Sequence, residues 1–211
     1  MTNDHAFDNI PTTCITDALD STNYMDGTIK PLIEDWHVSG PAFTVNIEAG
    51  ENISVLEAIY KANPGDVLVI DGKGWTNHAF AGDFIVGLAK TKGLNGIIAD
   101  GVVRDIRGTK ELNYPVFCKG TTTAAGRKNK IGQLNVPIKC GGVYVSSGDI
   151  IVGDADGVVV VPKSNAALIL EKAKTRLKKD EDREIKVGTD IDMVNEYLEE
   201  VLSKNKVRRP L

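Results

Sequence analysis

The chain has 211 residues, of which 42% are hydrophobic and 26% charged, and its formal net charge is −4. That balance excludes a disordered, collagenous or disulfide-scaffold chain, and 25 basic against 29 acidic residues leave no basic footprint for general nucleic-acid binding. Glycine is the oddity: 21 residues, a tenth of the chain, imply many tight turns or close backbone approaches.

In chain order, a short helix is expected over residues 15–19, capped by Thr13, before a turn-rich segment. Gly40-Pro41 punctuates, and residues 42–47 alternate apolar and polar side chains as a strand does. Residues 52–62 carry Ile53, Leu56, Ile59 and Tyr60 at helical spacing and stop at Asn63-Pro64-Gly65. The continuous apolar run Val67-Leu68-Val69-Ile70 reads as a strand buried on both faces. Gly72-Lys73-Gly74 is expected to form a glycine-rich turn into a helix over residues 79–92. Phe84, Ile85, Leu88 and Ala89 share one face of that helix, and Gly93 ends it. A second buried strand over 97–99 ends in Asp100-Gly101. A short helix over 104–111 and a strand from Pro115 follow. This alternation across 52–118 indicates an α/β unit with short connections.

Residues 119–140 have no apolar period and read as one long loop. Three β segments come next, Val143-Tyr144-Val145, Ile150-Ile151-Val152 and Gly157-Val158-Val159-Val160-Val161. Turn residues separate them, which predicts a β-meander. A long amphipathic helix over 164–184 presents a solvated, mixed-charge face at residues 178–183. A last helix over 191–202 leads to a basic tail, Lys204, Lys206, Arg208 and Arg209, which reads as frayed.

Cys14, Cys118 and Cys140 are too few and too scattered for a disulfide framework or a zinc site, and isolated thiols fit a reducing compartment. The first five residues lack the basic start and apolar core of a signal peptide. No apolar run approaches the roughly 20 residues of a membrane helix, so a soluble, cytoplasmic protein is expected. Gly72-Lys73-Gly74 stands where a dinucleotide fingerprint would, but Asn77 occupies the position of its third glycine. Residues 120–126 are one residue too long for a P-loop, and no Gly-x-Ser-x-Gly elbow is present.

The stretch that points to chemistry is Gly82-Asp83, followed after twenty intervening residues by Arg104-Asp105. Asp83 falls in the first turns of one helix, and Arg104-Asp105 lies just beyond the C-terminal end of the next strand. In open α/β sheets that edge is where ligands collect. Two carboxylates and a guanidinium on one rim could hold a hard divalent cation beside an anionic oxygen, since Mg²⁺ needs only one or two carboxylates. The competing reading is a helix-capping Asp83 with a surface salt bridge from Arg104.

Four segments together resemble the RraA-like family over about residues 10–165. They are Gly65-Asp66-Val67-Leu68-Val69-Ile70-Asp71, Gly82-Asp83, Asp100-Gly101-Val102-Val103-Arg104-Asp105, and the run from Gly148 to Pro162. That family contains class II 4-hydroxy-4-methyl-2-oxoglutarate / 4-carboxy-4-hydroxy-2-oxoadipate aldolases and regulators of ribonuclease activity. The resemblance implies an α/β fold, a compact αββα sandwich of the swivelling β/β/α type with C-terminal helices. Residues 1–165 would form the RraA-like domain, and residues 166–211 a helical extension packed on it. It also implies a homotrimer or a hexamer built as a dimer of trimers, with the active site at a subunit interface.

By the same resemblance, Asp105 is the metal ligand for Mg²⁺ or Mn²⁺, Asp83 holds a water of that metal, and Arg104 meets the keto or enolate oxygen of a small 2-oxo acid. Gly82, Asp83, Phe84 and Ile85 supply the backbone that receives the substrate carboxylate. Asn52 matches a polar contact residue of the aldolases, although a helix N-cap would explain it equally, and Lys128 falls near a family lysine. The implied activity is retro-aldol cleavage of a 4-hydroxy-2-oxo acid to pyruvate, with oxaloacetate decarboxylation beside it. The family's regulators typically lack the acidic residue after the arginine, whereas this chain has Asp105. Two alternatives remain: a non-catalytic regulator that binds a ribonuclease or helicase, and a Schiff-base aldolase using Lys73 or Lys61.

Overall fold

A computed structural model describes residues 6–204. The elements, in order, are α1 (Thr12–Ala18), β1 (Lys30–Pro31), β2 (Val38–Asn46), α2 (Ile53–Lys61), β3 (Val67–Trp75), α3 (Asp83–Thr91), β4 (Gly96–Gly101), α4 (Ile106–Glu111) and β5 (Val116–Cys118). Five further strands follow, β6 (Gln133–Leu134), β7 (Ile138–Cys140), β8 (Val143–Val145), β9 (Ile150–Asp154) and β10 (Gly157–Val161), and then helices α5 (Ala166–Val187) and α6 (Ile191–Lys204). The strand order in the main sheet is β1-β5-β4-β3-β2-β9-β10, with β6 also paired to β2, while β7 and β8 form a separate hairpin. Strands β2 to β5 run parallel and are buried on both faces, as their continuous apolar runs require.

Side-chain alternation sorts these strands into layers. Phe43, Val45, Leu68, Ile70, Ile97, Ala99 and Val116 face α2 and α3 and pack on Val55, Ala58, Val86 and Ala89. Their neighbours Ala42, Val67, Val69, Ile98 and Phe117 face inward, against Ile151, Val158, Val160 and the β7–β8 hairpin. The opposite face of β9 and β10, with Ile150, Val152, Val159 and Val161, packs on α1 and α5 through Ile15, Ile169 and Ala173. The result is helix, sheet, sheet, helix, the αββα order that the family resemblance implied. Full burial of each large apolar side chain contributes about 1.5–3 kcal/mol.

One segment nearly closes the sheet into a barrel. Met25 N–H donates to Val158 O and Val160 N–H to Asn23 O, while a few residues on, Lys30 and Pro31 pair with β5. Residues 23–31 therefore link β10 to β5 across the gap in the sheet, and an exposed sheet edge is largely avoided.

Several local expectations are corrected. Thr13 does not cap α1, because Pro11 occupies the cap position and Thr12 instead donates its hydroxyl to Asp154 Oδ1 at 2.7 Å. Gly72-Lys73-Gly74 is not a turn but lies within β3. Lys73 and Gly74 adopt positive φ of 60° and 66°, forming a bulge after which Trp75 resumes pairing opposite Gly101. The β-meander is two hairpins instead, since β9 pairs with β2 and not with β8. The stretch 119–140 contains β6 and β7. Of the basic tail, Lys206, Arg208 and Arg209 lie outside the described residues.

Helix α5 is tied to α1 by Arg176, whose Nε stands 3.1 Å from Asp17. Residues 178–183 form a largely exposed helix face with pairing inside the run, as from Arg183 to Asp180. Helix α6 buries none of its residues. No helix among the described residues is long and apolar enough to cross a membrane.

Candidate active site

Three backbone segments meet beyond the C-terminal ends of β3 and β4. Phe80 N–H donates to Val102 O and Arg104 N–H to Ala81 O, which lays residues 79–82 alongside 102–104. The stretch after β5 then runs past both: Val103 N–H donates to Gly120 O, Ala79 N–H to Ala124 O and Asn52 N–H to Arg127 O. Buried Glu51 fixes the far end, its carboxylate accepting the N–H groups of Asn129 and Lys130 with Arg127 Nε 3.5 Å away. What sequence alone shows as a featureless loop is therefore held in place by backbone pairing.

These segments enclose a cavity of about 250 Å³ lined by Asn52, Leu56, Gly82, Asp83, Phe84, Ile85, Arg104, Asp105 and Lys128, with small residues from 79–81 and 125–126 between them. Every site residue expected from sequence is thus brought to one place. Arg104 Nε lies 3.2 Å from Asp105 Oδ2, and both side chains are a little over 40% exposed, so the pair is open to an incoming ligand. Asp105 is the N-cap of α4 in the left-handed region (φ 54°, ψ 44°), and its side chain makes no capping hydrogen bond. For an L-residue that conformation costs about 1–2 kcal/mol, although aspartate tolerates it better than most.

Two glycines set the spacing of the carboxylates. A Cβ on Gly82 would collide with Asp105 Oδ2, and one on Gly108 would run into the Asp83 carboxylate. Gly82 precedes α3 and Gly108 lies inside α4, so each helix leaves room for the other's aspartate.

Asn52 holds the N-cap position of α2 but makes no capping hydrogen bond, and its Oδ1 is buried without a partner. An unsatisfied buried amide costs about 1–3 kcal/mol, so an unused polar group here points to a ligand. The capping alternative is set aside for its side chain. At α3, Phe84 N–H is engaged by Asp83 Oδ1 at 2.7 Å. That leaves Asp83 and Ile85 to present the open first-turn N–H groups.

Asp83 and Asp105 are the two carboxylates on the cavity wall. Among the described residues, no group of three or more His, Cys, Asp or Glu could hold a metal. That donor set fits a hard ion that keeps most of its waters and does not fit a closed zinc site. Lys73 pairs with Asp71 and with Asn46 Oδ1, and Lys61 pairs with Glu57, all away from the cavity. The cavity's lysine is Lys128.

A second cavity, about 530 Å³, shares Arg104 and Asp105 as a common wall and adds Arg107, Thr121, Thr122 and Thr123. Sequence reasoning missed these residues. The threonines carry no periodic signal, and only the pairing of Val103 with Thr121 brings them to the site.

Residues 12–160 match the RraA-like family model, described as Aldolase/RraA. A protein of Halalkalibacterium halodurans named "Putative 4-hydroxy-4-methyl-2-oxoglutarate aldolase" is 52% identical over 196 residues, covering 93% of either chain. RraAS2 of Streptomyces coelicolor, described as an unusual member of the RNase ES inhibitor RraA protein family, matches with a TM-score of 0.79 at 30% identity. The match covers 87% of this chain and 97% of that one. The structure of an uncharacterized protein from Pseudomonas syringae pv. tomato gives a TM-score of 0.80 at 26% identity, over 92% of each chain. The family match runs from α1 into β10 and contains every residue that lines the first cavity. The chain belongs to the RraA-like family.

Proposed function

We propose that the protein is a lyase, a divalent-metal-dependent class II aldolase. It would cleave a 4-hydroxy-2-oxo acid of the 4-hydroxy-4-methyl-2-oxoglutarate type to pyruvate and a second oxo product, with oxaloacetate decarboxylation as a companion activity. The observation that carries this reading is the convergence of Asp83, Arg104 and Asp105 on one cavity beside the buried, unpartnered Asn52 Oδ1. The aldolase name of a 52% identical relative supports it.

In the cleavage the C3–C4 bond breaks and its electron pair moves onto C3 and the C2 oxygen as an enolate. The C4 hydroxyl passes its proton to a water held by Asp83 as C4 becomes a carbonyl, and the enolate takes a proton back at C3 to give pyruvate. Mg²⁺ or Mn²⁺ held by Asp105, with Asp83 reaching it through water, would supply Lewis-acid polarisation of the 2-oxo group. Arg104 aims a fixed guanidinium at the oxygen where charge develops, which lowers the barrier more than it favours the ground state. The Asp83 and Ile85 N–H groups receive the C1 carboxylate and orient the C2 carbonyl, while Asn52 Oδ1, an acceptor, suits a donor such as a substrate hydroxyl. Lys128 at the rim adds a second positive charge. The same enolate arises when oxaloacetate loses carbon dioxide, so one site serves both reactions.

A homotrimer or a dimer of trimers would complete the site. Phe84, which lines the cavity, and Leu88 one turn on along α3 are large apolar side chains left 75% and 38% exposed, a surface suited to a neighbouring subunit. A second reading, a regulator that binds a ribonuclease, is favoured by the likeness to RraAS2. A lactate-dehydrogenase-coupled assay over a panel of 4-hydroxy-2-oxo acids, with Mg²⁺, Mn²⁺ or EDTA, separates the two when run beside a ribonuclease pull-down. Metal-dependent pyruvate release is expected. Ribonuclease capture with no pyruvate from any substrate would favour the regulator.

A further inference from the structure

Glu51 stands next to Asn52 in the chain but does not line the cavity, and none of the binding or cleavage steps above uses it. Its side chain is only 5% exposed. Oε2 accepts Asn129 N–H at 2.7 Å and Lys130 N–H at 3.2 Å, and Oε1 faces Arg127 Nε at 3.5 Å. Residues 127–130 are themselves exposed, so water could serve those two N–H groups. A carboxylate is costly to bury, and here the cost falls on fixing a surface turn.

Lys128 sits in the middle of that turn. Backbone bonds fix the residue before it, since Arg127 N–H donates to Gly50 O and Asn52 N–H to Arg127 O. Glu51 fixes the two residues after it. Gly126 lies against Asn52, where an added Cβ would come within 3.0 Å of the amide carbon, so the turn and Asn52 form one wall of the cavity. Of the two basic residues on that cavity, Arg104 is paired with Asp105, whereas Lys128 has no ion pair among the described residues.

We infer that Glu51 is a positioning residue, which acts on the reaction through Lys128 by fixing the 127–130 turn at the cavity wall. The inference rests on the aldolase reading above and deepens it. A lysine on a loose turn spreads its charge over many positions, and a lysine on a pinned turn keeps it at the cavity. Such a rim charge attracts an anionic substrate in the ground state and the transition state alike, so losing it raises KM and leaves kcat nearly unchanged. A Glu51 that only stabilised the fold would act differently, because a smaller folded fraction lowers kcat at unchanged KM.

The test measures kcat and KM with Mg²⁺, on the 4-hydroxy-2-oxo acid that the wild type cleaves fastest, beside thermal melts. The variants are Glu51→Gln, Glu51→Asp, Lys128→Ala and the double variant Glu51→Gln/Lys128→Ala. Lys128→Ala is expected to raise KM about tenfold, and Glu51→Gln about fivefold, with kcat within about twofold of the wild type in both. In the double variant Glu51→Gln should add less than about twofold to the effect of Lys128→Ala, because both act through one charge. Glu51→Asp, which keeps the charge but draws it back from the turn, should show the same pattern more weakly, and it carries the test if Glu51→Gln does not fold. Unchanged KM in Lys128→Ala or in the Glu51 variants, a fall in kcat alone, or full additivity in the double variant overturns the positioning role and leaves the aldolase standing. So does a Glu51→Asp protein that also fails to fold, which would assign Glu51 to the fold. A wild type that releases pyruvate from no substrate under Mg²⁺ or Mn²⁺ overturns the aldolase reading and this inference with it.

Discussion

At the scale of single residues, the site depends on where two carboxylates and one guanidinium can stand. Arg104→Lys keeps the charge but loses the planar fork beside Asp105, and a fall in kcat of tenfold or more is expected. An unchanged kcat would mean that Arg104 only balances Asp105. Gly108→Ala is the sharper case, because alanine in a helix interior ordinarily gains about 1 kcal/mol over glycine. Here the added Cβ meets the Asp83 carboxylate, so that gain is offset and pyruvate release drops. Higher thermal stability with full activity would contradict the Asp83 geometry. Asp83, Arg104 and Asp105 were legible in the sequence because their spacing places them at strand and helix ends. Gly108 was not, since its place beside the Asp83 carboxylate comes from how α3 and α4 pack together. Asn52 was legible as a polar residue at a helix start, but only packing reveals that its amide caps nothing.

At the scale of elements, continuous apolar runs identified β3, β4 and the β9–β10 pair, because parallel and two-sided burial leaves no alternation to misread. The sequence was silent where irregular backbone does the work. The β3 bulge reads as a turn because both consist of glycine and left-handed backbone, and the 119–132 segment shows no period because backbone bonds and Glu51 hold it. Strand β5 supplies a test of burial. Cys118 lies within the helix-side core that includes Val86 and Ala89 of α3, and burial pushes its thiol from about 9 up to about 11. Between those values the unfolded chain loses a proton that the folded chain keeps, so stability falls as pH rises. The loss reaches about 3 kcal/mol from this group alone. Urea midpoints measured from pH 8 to 11 should decline less steeply for Cys118→Ala than for the wild type. Identical slopes would place Cys118 in a more polar setting.

For the whole molecule, the αββα order, with residues 23–31 linking β10 to β5, sets the C-terminal ends of the parallel strands β3 and β4 side by side at one rim. The segments that carry the site are mounted there. Parallel strands flanked by helices made this class legible, but near-closure was not, because it depends on a two-residue strand, β1, too short to leave a pattern. On the proposed reading, the site's function depends on Asp105, held in left-handed backbone between two cavities. The most direct measurement is pyruvate release from a 4-hydroxy-2-oxo dicarboxylate by the wild type and by Asp105→Ala, each with Mg²⁺ and with EDTA. Wild-type activity that EDTA abolishes, and an Asp105→Ala protein that is folded but inactive in both conditions, is the expected outcome; an Asp105→Ala protein as active as the wild type, or wild-type activity indifferent to EDTA, would contradict it.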